Sequence, residues 1–316
     1  MSRAASLPGA RSPDHPQAWA AVSLDGGGDW ARDGRDWPNR EASRFVAAMG
    51  LRWHVQIMGQ GPVLLLVHGT GAATHSWRDL APWLARHFTV VAPDLPGHGF
   101  TDAAPAHRLS LPGMARLLDG LLRTLGLAPD LAVGHSAGAA ILTRMALDGA
   151  IQPRAIVSLN GAFLPFRDGH SHIFSGLAKL LFVNPLVPRL FAWQAGDRHS
   201  VERLIRGTGS ALDRRGVELY ARLLRNPRHV QAALGMMANW DLVPLLHDLP
   251  ALRPALVLVA AGADSAIPPE QAERVRARLP SARIVPLPHL GHLAHEEAPD
   301  RAADLILSVA RETGVI

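Results

Sequence analysis

A serine, an aspartate and a histidine in this chain have the sequence neighbours that serine-based nucleophilic catalysis requires. Ser136 lies in Gly-His-Ser-Ala-Gly at residues 134–138, where the flanking glycines allow a tight turn between a strand and a helix. A serine hydroxyl is a weak nucleophile near neutral pH and needs a positioned base, which an acid in turn orients. Asp264, within residues 262–268, and His292 follow in the order serine, acid, histidine that accompanies this motif. The sequence therefore predicts a catalytic triad of Ser136, Asp264 and His292.

Acyl transfer passes through an oxyanion that two backbone N–H groups must stabilise. Ala137 follows the serine directly at the start of a predicted helix, so its N–H is one predicted donor. The loop His-Gly-Thr-Gly at residues 68–71 follows another apolar run, and either Thr70 or Gly71 is predicted to provide the second donor. In the predicted mechanism His292 takes the serine proton, and water then hydrolyses an acyl-enzyme.

Alternating strands and helices are predicted to position these residues. Continuous apolar runs predict strands buried on both faces, at residues 62–67, 88–92, 131–133, 155–159, 255–260 and 282–287. Helical spacing of apolar residues recurs between them, which predicts an α/β fold with a mostly parallel, doubly wound sheet. Each candidate catalytic residue follows one of these strands, as expected for ligand sites at the carboxyl ends of an open sheet.

The predicted core is interrupted once. Residues 163–250 show apolar residues at helical spacing and no strand pattern, which predicts an inserted helical lid. The core then comprises residues 36–162 and 251–316. Residues 1–35 are rich in Pro, Gly, Ala and Asp without periodicity, which predicts an N-terminal tail, packed in part through Trp30 and Trp37.

Composition excludes several classes of site. The chain has no cysteine, which excludes disulfides, thiolate nucleophiles and cysteine-ligated metals. The net charge of +5 comes from arginines scattered among acidic residues, which argues against a nucleic-acid partner.

No apolar run reaches the roughly 18 residues of a membrane span, and no secretory signal is evident, so a cytoplasmic protein is expected. His289, His292 and His295 are evenly spaced, but Pro288 and Gly291 indicate a loop, so neither a metal nor a cofactor is predicted.

Several motifs resemble those of the α/β-hydrolase superfamily, in order from about residue 44 to the end. They comprise residues 68–69, 94–99, 134–138, 262–264, 291–292 and 297–299. Within the superfamily the chain resembles the magnesium-chelatase accessory hydrolases of bacteriochlorophyll biosynthesis, through the segments at residues 36–40, 44–46, 51–56, 68–77 and 236–242. This resemblance implies the α/β-hydrolase fold, a role in photosynthetic pigment synthesis near magnesium insertion into protoporphyrin, and magnesium chelatase subunits as partners. The resemblance defines no reaction, and without a P-loop motif an ATPase role has no support.

Three functions remain open on the sequence. The Leu- and Phe-rich lid favours a serine hydrolase that acts on a bulky apolar ester or acyl compound, although the same residues could serve only to pack the lid. A carbon–carbon bond hydrolase would use the same triad. A non-enzymatic tetrapyrrole-binding or assembly factor would need only the apolar lid and the Trp-rich segments. Epoxide hydrolases and haloalkane dehalogenases are disfavoured because they have Asp at the position where this chain has Ser136. The sequence leaves open whether the protein makes peripheral contact with a membrane.

Overall fold

A nine-stranded sheet forms the centre of the protein. The computed structural model describes residues 22–23, 27–165 and 197–316. The strands are β1 (Val22–Ser23), β2 (Ser43–Ala48), β3 (Leu51–Met58), β4 (Val63–Val67), β5 (Thr89–Pro93), β6 (Leu131–His135), β7 (Ala155–Leu159), β8 (Ala255–Ala261) and β9 (Arg283–Leu287). Their order across the sheet is β1-β2-β3-β5-β4-β6-β7-β8-β9, antiparallel from β1 to β5 and parallel from β5 to β9. The predicted α/β fold with a mostly parallel sheet is confirmed.

Helices follow most of the strands. They are α1 (Gly27–Asp33), α2 (Leu80–Leu84), α3 (Leu111–Leu125), α4 (Ala137–Leu147), α5 (Arg198–Arg206), α6 (Arg214–Leu224), α7 (Pro227–Ala238), α8 (Val243–Asp248), α9 (Glu270–Arg276), α10 (Ala294–Glu297) and α11 (Pro299–Glu312). Helix α3 shows how the local sequence sets the ends, because the Ser110 side chain accepts a hydrogen bond from the Gly113 N–H at its start. Gly126 ends the helix with a φ of 68°, which a residue with a side chain rarely adopts.

The sheet is buried on both faces. Along β4, Leu65 and Val67 belong to one apolar cluster, and Leu64 and Leu66 belong to another. Successive side chains of a strand point to opposite faces, so the two clusters lie on opposite sides of the sheet. This burial explains why the parallel strands appear in the sequence as continuous apolar runs.

Helices α5 to α8 lie between β7 and β8 in the chain, and we call them the inserted helices. They make up the described part of the predicted lid, because residues 197–250 contain helices and no strand. Residues 166–196 of that lid, and residues 1–21 of the predicted tail, lie outside the described residues. Among the helices that the structure describes, none is long and apolar enough to cross a membrane.

The segment before β2 packs onto the core. Trp30 of α1 and Trp37 are both buried, in a cluster with Phe45 and Leu219. Helix α1 therefore contacts both the sheet and the inserted helix α6. The boundary predicted after residue 35 divides this packed segment, because the tryptophans on its two sides share one apolar cluster.

Candidate active site

Ser136 forms a strained turn between β6 and α4. Its backbone has φ 50° and ψ −117°, a conformation that costs a residue with a side chain on the order of 1–3 kcal/mol. The surrounding glycines make the turn possible by allowing close backbone contacts. A Cβ at Gly138 would lie 2.1 Å from the carbonyl oxygen of Val67, and a Cβ at Gly134 would lie 2.4 Å from the nitrogen of Ala139. The glycines of the motif are therefore required by packing, whereas the unusual backbone angles fall on Ser136 itself.

Asp264 and His292 form a hydrogen-bonded pair at the ends of β8 and β9. The His292 Nδ1 donates to Asp264 Oδ2 over 2.8 Å, and the Asp264 side chain is wholly buried. The other oxygen, Oδ1, accepts hydrogen bonds of 2.8 Å from the backbone N–H groups of Ala266 and Ile267. Because Nδ1 is occupied by the carboxylate, Nε2 is the nitrogen of His292 that is free to accept a proton.

His135, the residue directly before Ser136, contacts His292. The His135 and His292 ring centroids are 4.7 Å apart, and the His135 Nε2 donates to the His292 carbonyl over 2.9 Å. Within the described part of the chain, no hydrogen bond joins the Ser136 hydroxyl to His292. Such bonds are often long without substrate and shorten when it binds. The structure therefore joins the acid to the histidine and places the histidine against His135, the residue directly before the serine.

The predicted oxyanion loop packs directly against the serine. A Cβ at Gly69 would lie 3.0 Å from the Cβ of Ser136, so residues 68–71 approach the turn as closely as backbone allows. None of the hydrogen bonds of the described residues uses the N–H of Thr70, Gly71 or Ala137. Ala137 is the first residue of α4, where helix N–H groups have no partner within the helix. Considering the described residues alone, the arrangement places donors without a hydrogen-bond partner on two sides of the serine.

Asn160 is a polar residue of the site that the sequence reasoning did not identify. It follows β7 directly with a φ of 50°, and its Nδ2 donates to Asp264 Oδ2 over 2.7 Å. Its backbone N–H bonds to the carbonyl of Val259 on β8, which fixes its position in the sheet. The sequence did contain a signal for Asn160. It is a polar residue at the carboxyl end of the next predicted strand after the one that leads into the serine motif.

A buried polar network attaches the inserted helices near His292. The Tyr220 hydroxyl of α6 donates to Glu296 Oε1 over 2.8 Å, and the Ser76 hydroxyl donates to the same oxygen over 2.6 Å. Arg78 forms an ion pair with the other Glu296 oxygen. Burial raises the pKa of the Glu296 carboxyl, and Arg78 opposes that change. The network therefore joins α6 to α10, the short helix that begins two residues after His292.

Six histidines around the site are fully buried and held neutral. Burial lowers the pKa of each, and the six are His68, His75, His98, His135, His229 and His295. The pKa is lowered to about 4 for His229 and to about 3 for His295. Their density does not create a metal centre, because the described residues contain no group of three or more His, Cys, Asp or Glu side chains arranged to hold an ion.

The buried histidines predict how stability depends on pH. Their pKa values lie below the ordinary histidine value of 6.5, so the unfolded chain binds more protons than the folded one in moderately acidic solution. The free energy of unfolding should therefore fall as pH drops below about 6.5, and each histidine that stays neutral in the folded protein contributes at most about 1.4 kcal/mol per pH unit to this slope. In His75→Phe the slope of unfolding free energy against pH should decrease by the contribution of one proton, about 1.4 kcal/mol per pH unit. Neither ring nitrogen of His75 has a partner among the described residues, so the substitution removes no hydrogen bond there.

Urea denaturation of both proteins at a series of pH values measures this slope. Thr143→Val is the matched control, because the Thr143 hydroxyl is also buried without a partner among the described residues but takes up no proton. The control should keep the original slope. An unchanged slope in His75→Phe would show that His75 is already protonated in the folded protein.

Comparison with known proteins identifies the family. A family model described as alpha/beta hydrolase fold matches residues 62–299. The magnesium-chelatase 30 kDa subunit of Rhodobacter capsulatus is 37% identical over 278 residues, which cover 86% of this chain and 95% of that protein. Haloalkane dehalogenase 2 of Mycobacterium bovis is 27% identical, over 84% of this chain and 93% of the relative.

A solved structure confirms the fold. The crystal structure of an alpha/beta hydrolase fold protein from Burkholderia ambifaria superposes with a TM-score of 0.70 at 24% identity, covering 82% of this chain and 94% of that one. The sheet order, the matched residues and this superposition agree with the resemblance predicted from the motifs. The chain belongs to the α/β-hydrolase fold family.

Proposed function

We propose that this chain is a serine hydrolase that uses Ser136, Asp264 and His292 as its catalytic triad. The observation that carries the proposal is the 2.8 Å bond between His292 Nδ1 and Asp264 Oδ2 beside a serine held at a φ of 50°. Family membership alone would not support it, because one fold hosts many activities and relatives of this chain carry different names. The proposal therefore depends on the residues of the site.

The proposed reaction begins when His292 removes the Ser136 proton and the serine oxygen attacks the substrate carbonyl carbon. The oxyanion that forms receives hydrogen bonds from the N–H of Ala137 and from Thr70 or Gly71. His292 then protonates the leaving alcohol, which leaves an acyl-serine. Water, activated by the same histidine, releases the acid and restores the serine. Asp264 keeps its negative charge throughout and stabilises the imidazolium.

The proposed substrate is a bulky, largely apolar ester or acyl compound linked to bacteriochlorophyll biosynthesis. The 37% identity to a protein named magnesium-chelatase 30 kDa subunit supports a role near the chelatase step, with chelatase subunits as partners. Esters of tetrapyrrole intermediates are accordingly the first compounds to screen.

A fluorophosphonate probe should form one covalent adduct, on Ser136, because only a serine with a working base reacts with it. Mass spectrometry of the labelled, digested protein locates the adduct. Labelling should be lost in Ser136→Ala, and the labelling rate should fall by about 10³-fold or more in His292→Ala.

His289→Asn is the matched control for the histidine variant. His289 is exposed in the same loop and has a φ of 69°, which Asn tolerates, so this variant should label like the original protein. A folded protein that gives no adduct on Ser136, or one that labels equally without His292, contradicts the proposed hydrolase.

Asn160 should hold the Asp264 carboxylate towards His292. In Asn160→Gly we expect kcat for a p-nitrophenyl ester to fall about 10- to 100-fold, since a hydrogen bond to a charged group contributes about 1.5–3 kcal/mol. Glycine tolerates the φ of 50°, so the substitution deletes the amide without adding backbone strain. Asn39→Gly is the control, because Asn39 has a φ of 54° and bonds instead to the Arg78 carbonyl. Equal losses in the two variants would mean that Asn160 has no specific role.

The comparison with the chelatase subunit also favours a second candidate function, a non-enzymatic tetrapyrrole-binding or assembly factor. Complementation of a strain that lacks the gene separates the two. A hydrolase predicts that Ser136→Ala fails to restore pigment synthesis although the protein accumulates normally. Full restoration by Ser136→Ala, together with binding of protoporphyrin to the pure protein, would favour the assembly role.

A further inference from the structure

His229 connects an inserted helix to two loops of the core. It is the third residue of α7 and is completely buried. Its Nε2 lies 3.1 Å from the Gly71 carbonyl oxygen, and its Nδ1 lies 3.2 Å from the Gly99 nitrogen. A carbonyl only accepts and an amide only donates, so Nε2 carries the proton and Nδ1 has none. The two contacts therefore define a single neutral tautomer.

The Gly71 contact matters because Gly71 belongs to the loop that packs against Ser136. Gly71 has a φ of 79°, and glycine by itself restricts this backbone little. A hydrogen bond from the Ala72 N–H to the Gly69 carbonyl, 3.2 Å long, closes the turn on one side. The bond from His229 holds the Gly71 carbonyl on the other. The Gly71 carbonyl and the Ala72 N–H are the two ends of one peptide group, so the two bonds fix that group and the Gly69 carbonyl on either side of the Gly71 N–H.

Helix α7 is seated closely on the core around His229. Ala232 lies three residues further along the same face of the helix, and a Cβ at Gly97 would lie 2.4 Å from its Cβ. The His98 ring lies edge-on to His229, with 5.0 Å between ring centroids. The helix cannot shift towards the core at these points, so the position of His229 is determined by packing.

The neutral form of His229 persists at neutral pH. Burial lowers its pKa to about 4 and His68 adds to the effect, while the bond to the Gly71 carbonyl and the charge of Asp94 oppose it. The proton that Nε2 donates to Gly71 therefore stays in place, and Nδ1 stays free to accept from Gly99.

We propose that His229 is a positioning residue through which the inserted helices set the geometry of the oxyanion loop. It acts through Gly71 and touches no reacting atom. The inference rests on the proposed hydrolase function, because an oxyanion loop has a catalytic role only in an enzyme. Donors aimed in advance at the developing charge contribute much of the rate enhancement in acyl transfer. Removing the support of the loop should therefore lower kcat more than it changes KM.

The test compares two variants of the full chain. His229→Phe keeps a flat ring and loses both hydrogen bonds, whereas His229→Gln keeps an amide that can donate to the Gly71 carbonyl. With a p-nitrophenyl ester, His229→Phe should lower kcat about 10- to 100-fold with KM changed less than about threefold. His229→Gln should recover most of that loss. Gln231→Ala, at an exposed position of the same helix, should behave like the original protein.

Hydrogen exchange of the Ala72 amide, which donates to the Gly69 carbonyl, gives a readout that does not depend on activity. His229→Phe should speed the exchange of this amide at least about tenfold, because the turn loses one of its two constraints. Unchanged exchange, or equal kcat losses in the Phe and Gln variants, would overturn the positioning role. If His229→Phe does not fold, His229→Asn replaces it, because Asn can accept from Gly99 and is too short to reach Gly71.

The two proposals fail in different ways. If the original protein neither hydrolyses esters nor labels with the fluorophosphonate, the hydrolase proposal fails. The exchange measurement then still decides whether His229 holds the loop. If the protein is active and His229→Phe has normal kcat with a lowered melting temperature, His229 is only structural and the inference is wrong.

Discussion

Helix α4 begins so close to the end of β4 that position 138 has no room for a side chain. The carbonyl of Val67 occupies the place where a Cβ of Gly138 would stand. The chain must therefore turn sharply at Ser136, which takes a strained backbone conformation directly before the helix. The turn leaves the serine at the edge of the sheet, next to helix N–H groups that have no internal partner. Asp264 and His292 lie at the same edge, because the carboxyl ends of parallel strands meet there.

The inserted helices are attached to this edge by buried polar contacts as well as by apolar packing. Tyr220 and Arg78 meet at Glu296, and His229 spans Gly71 and Gly99. A buried polar group without a partner costs about 1–3 kcal/mol, so these contacts favour one seating of the helices over others. The geometry around the serine is consequently coupled to elements that contribute none of the three candidate triad residues.

Much of the fold and the residues of the candidate triad could be proposed from the sequence, because both depend on local patterns. Apolar runs indicate strands buried on two faces, and the runs before Ser136, Asp264 and His292 coincide with β6, β8 and β9. The glycines around Ser136 indicate a turn that few other residues permit. Chain order then indicates which acid and which histidine belong with the serine. The short helix that carries Trp30 was not predicted, because a Gly- and Asp-rich segment has no clear apolar period.

Only the tertiary structure decided which polar residues support the site. Asn160 and Asp264 are 104 residues apart in the chain, and His229 and Gly71 are 158 apart, so no local pattern relates them. The sequence contains sixteen histidines, and among those that the structure describes only packing distinguishes the six that burial holds neutral. The physical reason is that a hydrogen bond requires two atoms within about 3 Å and in the right direction. Periodicity and motifs predict which face of a helix or strand a residue occupies, whereas tertiary packing determines which residues contact that face.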